Sequence, residues 1–182
     1  MQEKREDSNE EEEAAARETE EAEVAEMAAG SWEGGLFIDL NSVSPMEKAR
    51  AAASLARDFV DGAILGSIAG RGTRVPMALS GPRSSEANSL LVTAGLRTAV
   101  VGQEVGTASA LKVCRSIFMK GLECLFVEAS VAGLKFNLSE VLQETIEETF
   151  STYTTRELST MLLTTHTVHA DRRAHEMKEV VE

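Results

Sequence analysis

The stretch GGLFIDLNSVSPMEKARAAASLARDFVDGAILG, residues 34–66, decides the fold. Gly34-Gly35 breaks the preceding pattern, and Leu36–Leu40 is a short apolar run holding a single acid, the kind of strand found in parallel sheets covered on both faces. Asn41–Val43 reads as a turn. Ser44 can cap a helix, Pro45 suits its first position, and Glu47, three residues after Ser44, completes a capping-box pattern, so a helix is expected to about Asp58. Phe59–Leu65 then returns as a second apolar strand. Strand, helix, strand is α/β grammar.

The same grammar continues downstream. A Gly/Arg loop over 66–74 leads to a strand at Met77–Ser80, a Gly81-Pro82 break, a helix over Ser84–Ala94 and a strand over Arg97–Val101. After Gly106 the strand signal stops. Thr107–Gly133 contains no proline and, before its final residue, only Gly121 as a breaker, which predicts a long central helix. Asn137 with Glu140 three residues later reads as a second capping signature, opening a helix with Leu138, Val141, Leu142, Thr145, Ile146, Thr149 and Phe150 at helical spacing. Two further helices are expected, over Thr155–Leu163 and Val168–Val181. The expected architecture is an α/β remnant of a Rossmann-like parallel sheet over 34–103, followed by an all-α C-terminal domain over 104–182, with an acidic low-complexity tail over 1–33.

With 182 residues the chain has room for one domain plus an appendage. Its net charge of -12 is concentrated at one end: residues 1–28 carry twelve acids against Lys4, Arg5 and Arg17, a net of -9, which leaves -3 for the remainder. That run reads as a solvated helix or coil and says little about what the body binds. The 18 lysines and arginines are dispersed, so no basic face points to nucleic acid. No apolar run approaches the ~20 residues of a membrane span. Cys114 and Cys124 stand ten apart without CxxC spacing, and the start is too acidic for a signal or transit peptide; both features predict buried, reduced thiols and a cytoplasmic location.

Lys112 carries the most chemistry. Its neighbours Leu111, Val113, Cys114, Ile117 and Phe118 are apolar, and a lysine that loses hydration has a lowered pKa, which favours the neutral amine that can accept a proton. Ser109, Lys112, Ser116, Lys120 and Glu123 follow steps of three and four on one helix face. Taken alone, that face is either a solvated stripe or a site. His166, His169 and His175 match no established ligand spacing, so no metal is expected. No GxGxxG follows a strand and no P-loop occurs.

Four segments, FIDLNSVSP (37–45), FVDGAILG (59–66), VPMALSGP (75–82) and GTASALKVCRSIFMKGLECLFVEASVAG (106–133), with HADRRAHEM (169–177), resemble in order and spacing the 6-phosphogluconate dehydrogenase and 3-hydroxyisobutyrate dehydrogenase superfamily of NAD(P)-dependent β-hydroxyacid dehydrogenases. The likeness is to the branch with a phosphogluconate dehydrogenase, NAD-binding, putative C-terminal domain. It implies reversible oxidation of a small hydroxy acid with NAD or NADP as cofactor. Lys112 matches the acid/base lysine of such enzymes, which selects the second meaning for its helix face. By the same comparison Asn41 borders the cofactor, Ser42 and Ser116 position substrate, and Gly66 falls in the substrate loop.

The chain departs from that pattern at Ala108 and Ser116, where better-known members have glycine and asparagine, and at Leu65-Gly66-Ser67, where they have Ser-Gly-Gly. The first half of the nucleotide fold would lie upstream of residue 36, where the acidic run stands, so the chain resembles the late portion of a dehydrogenase, truncated and weak or inactive alone, or one product of a split gene. The alternative expectation is a non-catalytic helical module that forms a homodimer or associates with a complete homologue.

Overall fold

The computed structural model describes residues 34–55 and 58–181, with Met27 and Gly30; the acidic opening run lies outside the described residues. Strand β1 (Phe37–Asp39) leads into helix α1 (Pro45–Leu55), then β2 (Phe59–Ile64), β3 (Pro76–Ser80), α2 (Ser84–Thr93) and β4 (Arg97–Gly102). Helices α3 (Thr107–Phe136), α4 (Ser139–Thr152) and α5 (Thr155–Val181) follow. This is the α/β portion followed by an all-α portion that the sequence predicts.

The four strands form one sheet in sequence order. Helical crossovers join β1 to β2 and β3 to β4, and both pairs are parallel, with Phe37 opposite Phe59 and Ala78 opposite Ala99. The central pair differs: β2 and β3 run antiparallel, with Asp61 opposite Ser80. Their connection contains only a single 3-10 turn, Gly72–Arg74, and a parallel crossover needs roughly a dozen residues, usually including a helix, to return the chain to the same edge.

Both faces of the sheet are covered near β2. Phe59 packs with Ala51, Ala52 and Leu55 of α1, and its ring stacks on Phe37 with centroids 5.7 Å apart. The next residue, Val60, points the other way and packs with Leu79 and with Ala87 of α2. Alternation in a strand buried on both sides explains why β2 reads as a continuous apolar run. A third cluster joins Ala63 and Ala78 to Ala108, seating the first turn of α3 on the sheet.

Helix starts follow the local chemistry in part. Ser44 Oγ accepts the Glu47 N–H at 3.2 Å, as a cap should, but the Glu47 carboxylate pairs with Arg50. Asn137 does not cap α4. It adopts φ 58° and terminates α3, with its N–H on Leu134 O at 3.2 Å and that of Leu138 on Gly133 O at 2.8 Å. This is the left-handed helix stop that asparagine tolerates better than most residues. A full capping box occurs instead before α5, where Thr154 N–H donates to Glu157 Oε2 at 2.8 Å and Glu157 N–H to Thr154 Oγ1 at 3.3 Å. The two helices expected after Thr155 are one, interrupted at His169, whose φ -121° and ψ 24° are non-helical.

The chain divides into two compact units, one ending at Lys120 and one beginning at Gly121. In the second, Gly133 lets α4 approach closely, since a Cβ there would stand 2.9 Å from Leu142 Cδ2. Cys114 and Cys124 are free and exposed, which corrects the expectation of buried thiols: apolar neighbours in sequence do not by themselves cover a helix face.

Candidate active site

The site grows from two charged residues within apolar strands. Asp39 closes β1 and Asp61 lies in the middle of β2; both are buried, and a buried carboxylate requires hydrogen-bond donors or a cation. Asp39 Oδ1 accepts the Asn41 N–H at 3.0 Å, which sets the turn that carries Ser42. Asp61 meets the start of α3: its Oδ2 accepts the N–H groups of Gly106 at 3.1 Å and Ser109 at 3.0 Å, and its Oδ1 accepts from Ser109 Oγ at 2.7 Å. The carboxylate therefore lies where a helix start presents unpaired N–H groups and the positive end of its dipole.

Gly106 makes the approach possible. Its φ is +93°, and a Cβ there would stand 2.9 Å from Pro45 O, so the start of α3 passes against the first turn of α1.

One helical turn beyond Ser109, Lys112 Nζ donates to Ser42 Oγ, joining α3 to the turn after β1. The two residues line an open pocket of about 530 Å³ with Ser44, Ser109, Ser116 and Lys120. Lys112 is half-buried. Loss of hydration first, and the positive charge of Lys48 second, hold its ammonium below the ordinary lysine range. A larger fraction of the amine is then neutral at a given pH, with a lone pair able to take a proton. Ser42 and Ser116 offer hydroxyls in the same pocket, and Lys120 offers a second cation.

Of the residues singled out from sequence, the fold thus brings Lys112, Ser42 and Ser116 together, with Asn41 adjacent to Ser42. Gly66 lies past the end of β2, where an added Cβ would approach Val75 and Arg71, and does not line this pocket. Among the described residues no three His, Cys, Asp or Glu side chains gather as metal ligands, and no helix is long and apolar enough to cross a membrane. Sequence reasoning missed Lys48, Asp39, Asp61 and Ser80. The available signal was the lone acid in each of FIDL and FVDGAIL, since a carboxylate in a buried strand implies a partner elsewhere in the chain.

A model for a domain of unknown function, DUF1932, matches residues 135–182. An uncharacterized 28.5 kDa protein of Methanothermus fervidus is 33% identical over 121 residues, which is 66% of this chain and 47% of that protein. A conserved protein whose structure revealed similarity to 3-hydroxyacid dehydrogenases aligns at TM-score 0.63 with 34% identity, over 86% of this chain and 62% of that one. In sequence and fold the chain is therefore similar to a protein that itself resembles 3-hydroxyacid dehydrogenases. An imine reductase from Myxococcus stipitatus, solved with NADP+, is similar in fold at TM-score 0.56 and 22% identity, over 77% of this chain and 49% of that one. The chain spans roughly half to three-fifths of the length of these similar proteins.

Proposed function

We propose that this chain carries the acid/base portion of an NAD(P)-dependent oxidoreductase that interconverts a small hydroxy acid and its carbonyl form. The convergence of Lys112, Ser42 and Ser116 in one pocket carries this reading. Open α/β sheets take their ligands outside the carboxyl ends of the strands, and the Asn41-Ser42 turn leaves β1 at that end. On this reading Asn41 and Ser42 would border the nicotinamide end of a dinucleotide. No glycine-rich turn joins strand to helix among the described residues, so the pyrophosphate end finds no equivalent fit there.

A nicotinamide, when bound, supplies the hydride acceptor for oxidation. Lys112 Nζ in its neutral form takes the proton of the substrate hydroxyl, and in reduction the ammonium returns it to the carbonyl oxygen. Ser42 holds the amine in place and Ser116 holds the substrate. The free thiols suit a reducing compartment such as the cytoplasm.

The reading is tested by titrating the chain with NADH and NADPH, following nicotinamide fluorescence, and by assaying a panel of hydroxy acids. Turnover that survives Lys112→Ala would remove the catalytic assignment.

A second reading, a non-catalytic helical module that pairs with its own copy or with a complete homologue, is supported by the exposed apolar residues of the second unit. Leu134, Leu163 and Val168 are each 68–70% exposed, and an open apolar groove lies between Ala129, Gly133, Phe136 and Leu142. Contiguous exposed apolar surface can mark an interaction site. Light scattering coupled to size exclusion tests it: a monomer at all concentrations would sink self-association.

A further inference from the structure

The two carboxylates that build the site share one cation. Lys48 of α1 is wholly buried, an environment that lysine enters only when paired. Its Nζ donates to Asp39 Oδ2 at 2.6 Å and to Asp39 O at 3.2 Å, and stands 4.0 Å from Asp61 Oδ1. Around this ammonium the polar groups are satisfied in sequence. Ser80 Oγ donates to Asp61 Oδ2 at 3.2 Å and accepts the Ala108 N–H at 3.0 Å, and the rest of the Asp61 carboxylate serves Gly106 and Ser109. Asp39 uses its other oxygen for the Asn41 N–H.

Each carboxylate therefore has two tasks. Asp39 binds Lys48 and the turn that carries Ser42; Asp61 lies against Lys48 and binds the helix start that carries Lys112. Burying such a trio is a poor way to gain stability, because desolvation offsets most of the attraction and apolar side chains of similar volume commonly do as well. What a charged hub provides that an apolar one lacks is directional bonding.

We infer that Lys48 is a positioning residue for the candidate site, its single ammonium holding the Ser42 turn and the first turn of the Lys112 helix in fixed relation. The inference rests on the proposed role of Lys112 for its functional meaning, while the geometry stands without it. The same charge opposes protonation of Lys112 and is the second cause, after burial, of its lowered affinity for a proton. Lys120 on the same helix lines the pocket with Lys112, Lys48 on α1 acts on it through its charge, Asp39 at the end of β1 and Asp61 in β2 lie against Lys48, and α1 also carries the Glu47–Arg50 pair. The turn over 41–44 contributes none.

The test is titration of the intact chain labelled with 13Cε-lysine, the Lys112 resonance being assigned as the one absent from Lys112→Met. Lys48→Met removes the cation and keeps the length; the Lys112 midpoint then moves to higher pH, and the Ser42 amide ceases to follow Lys112 as it does in the parent chain. Asp39→Asn keeps an acceptor for the Asn41 N–H but leaves the Lys48 charge less compensated, so the Lys112 midpoint moves to lower pH. Loss of either charge gives these signs by electrostatics alone, so the positioning role is read from the Ser42 amide in a 15N-labelled sample, which is expected to stop following the Lys112 titration in both variants. A Ser42 amide that still follows Lys112 in the folded variants, or midpoints that stay unchanged, overturn the inference. If circular dichroism shows that Lys48→Met does not fold, the Ser42 amide of Asp39→Asn decides. None of these readouts needs turnover, so an inactive chain would count against the proposed reaction and leave this inference standing or falling by itself.

Discussion

Ser109 Oγ donates to Asp61 Oδ1 at 2.7 Å, fastening the first turn of α3 to the middle of β2 across 48 residues of chain. The neighbouring oxygen of the same carboxylate takes the N–H groups of Gly106 and Ser109. A strand residue thus does what a capping residue just before the helix ordinarily does, and the orientation of Lys112 follows from β2.

Asp61→Ala is expected to be among the most damaging single substitutions in the first unit. It leaves two N–H groups and two hydroxyls without their acceptor and Lys48 with one carboxylate, and breaking a buried charged pair costs about 3–5 kcal/mol. Urea unfolding followed by circular dichroism measures it. A loss within the few tenths typical of surface sites would mean that the hub is not formed.

On the proposed reading, Lys112 should set the pH dependence of turnover. Its affinity for a proton is lowered by burial and by Lys48, so the neutral amine that oxidation requires becomes abundant below the ordinary lysine range. The oxidation rate should rise with pH through that lowered value and level off above it. The reduction rate, which needs the ammonium, should fall across the same window. Lys112→Ala should lower kcat about 10²–10⁴-fold, the usual contribution of a positioned general base, and remove the limb from the profile.

Gly106→Ala should destabilise the first unit by about 1–3 kcal/mol, since a side chain must adopt a disfavoured backbone conformation and its Cβ would stand 2.9 Å from Pro45 O. The Lys112 resonance should shift as well, because α3 can relieve the clash only by moving away from α1. Thermal melts and a lysine spectrum report both effects.

Asn137 offers a control in the second unit. At φ 58° a glycine is at least as comfortable as asparagine, whereas a β-branched residue pays roughly 1–2 kcal/mol for the left-handed conformation. Asn137→Gly should leave the melting temperature unchanged or raised, and Asn137→Val should lower it. The reverse order would mean that α3 does not end in a left-handed residue.

The order of elements, and most of their limits, were legible in the sequence because helices and strands answer to local rules: the Ser44-Pro45 start, the breaks at Gly34-Gly35 and Gly81, and the change from strand runs to helical spacing after Gly106. The helix face holding Lys112 and Ser116 was equally legible, since spacing along one helix is a property of its backbone. Tertiary structure alone decided the antiparallel pairing of β2 with β3, the use of Asn137 to end one helix in place of opening the next, and the exposure of both cysteines. It alone brought Ser42 to Lys112 across 70 residues and gathered Lys48, Asp39 and Asp61 around one buried charge. Periodicity and capping are settled within a few residues of chain, whereas the partner of a buried charge depends on how the chain crosses the sheet, which no short window of sequence contains.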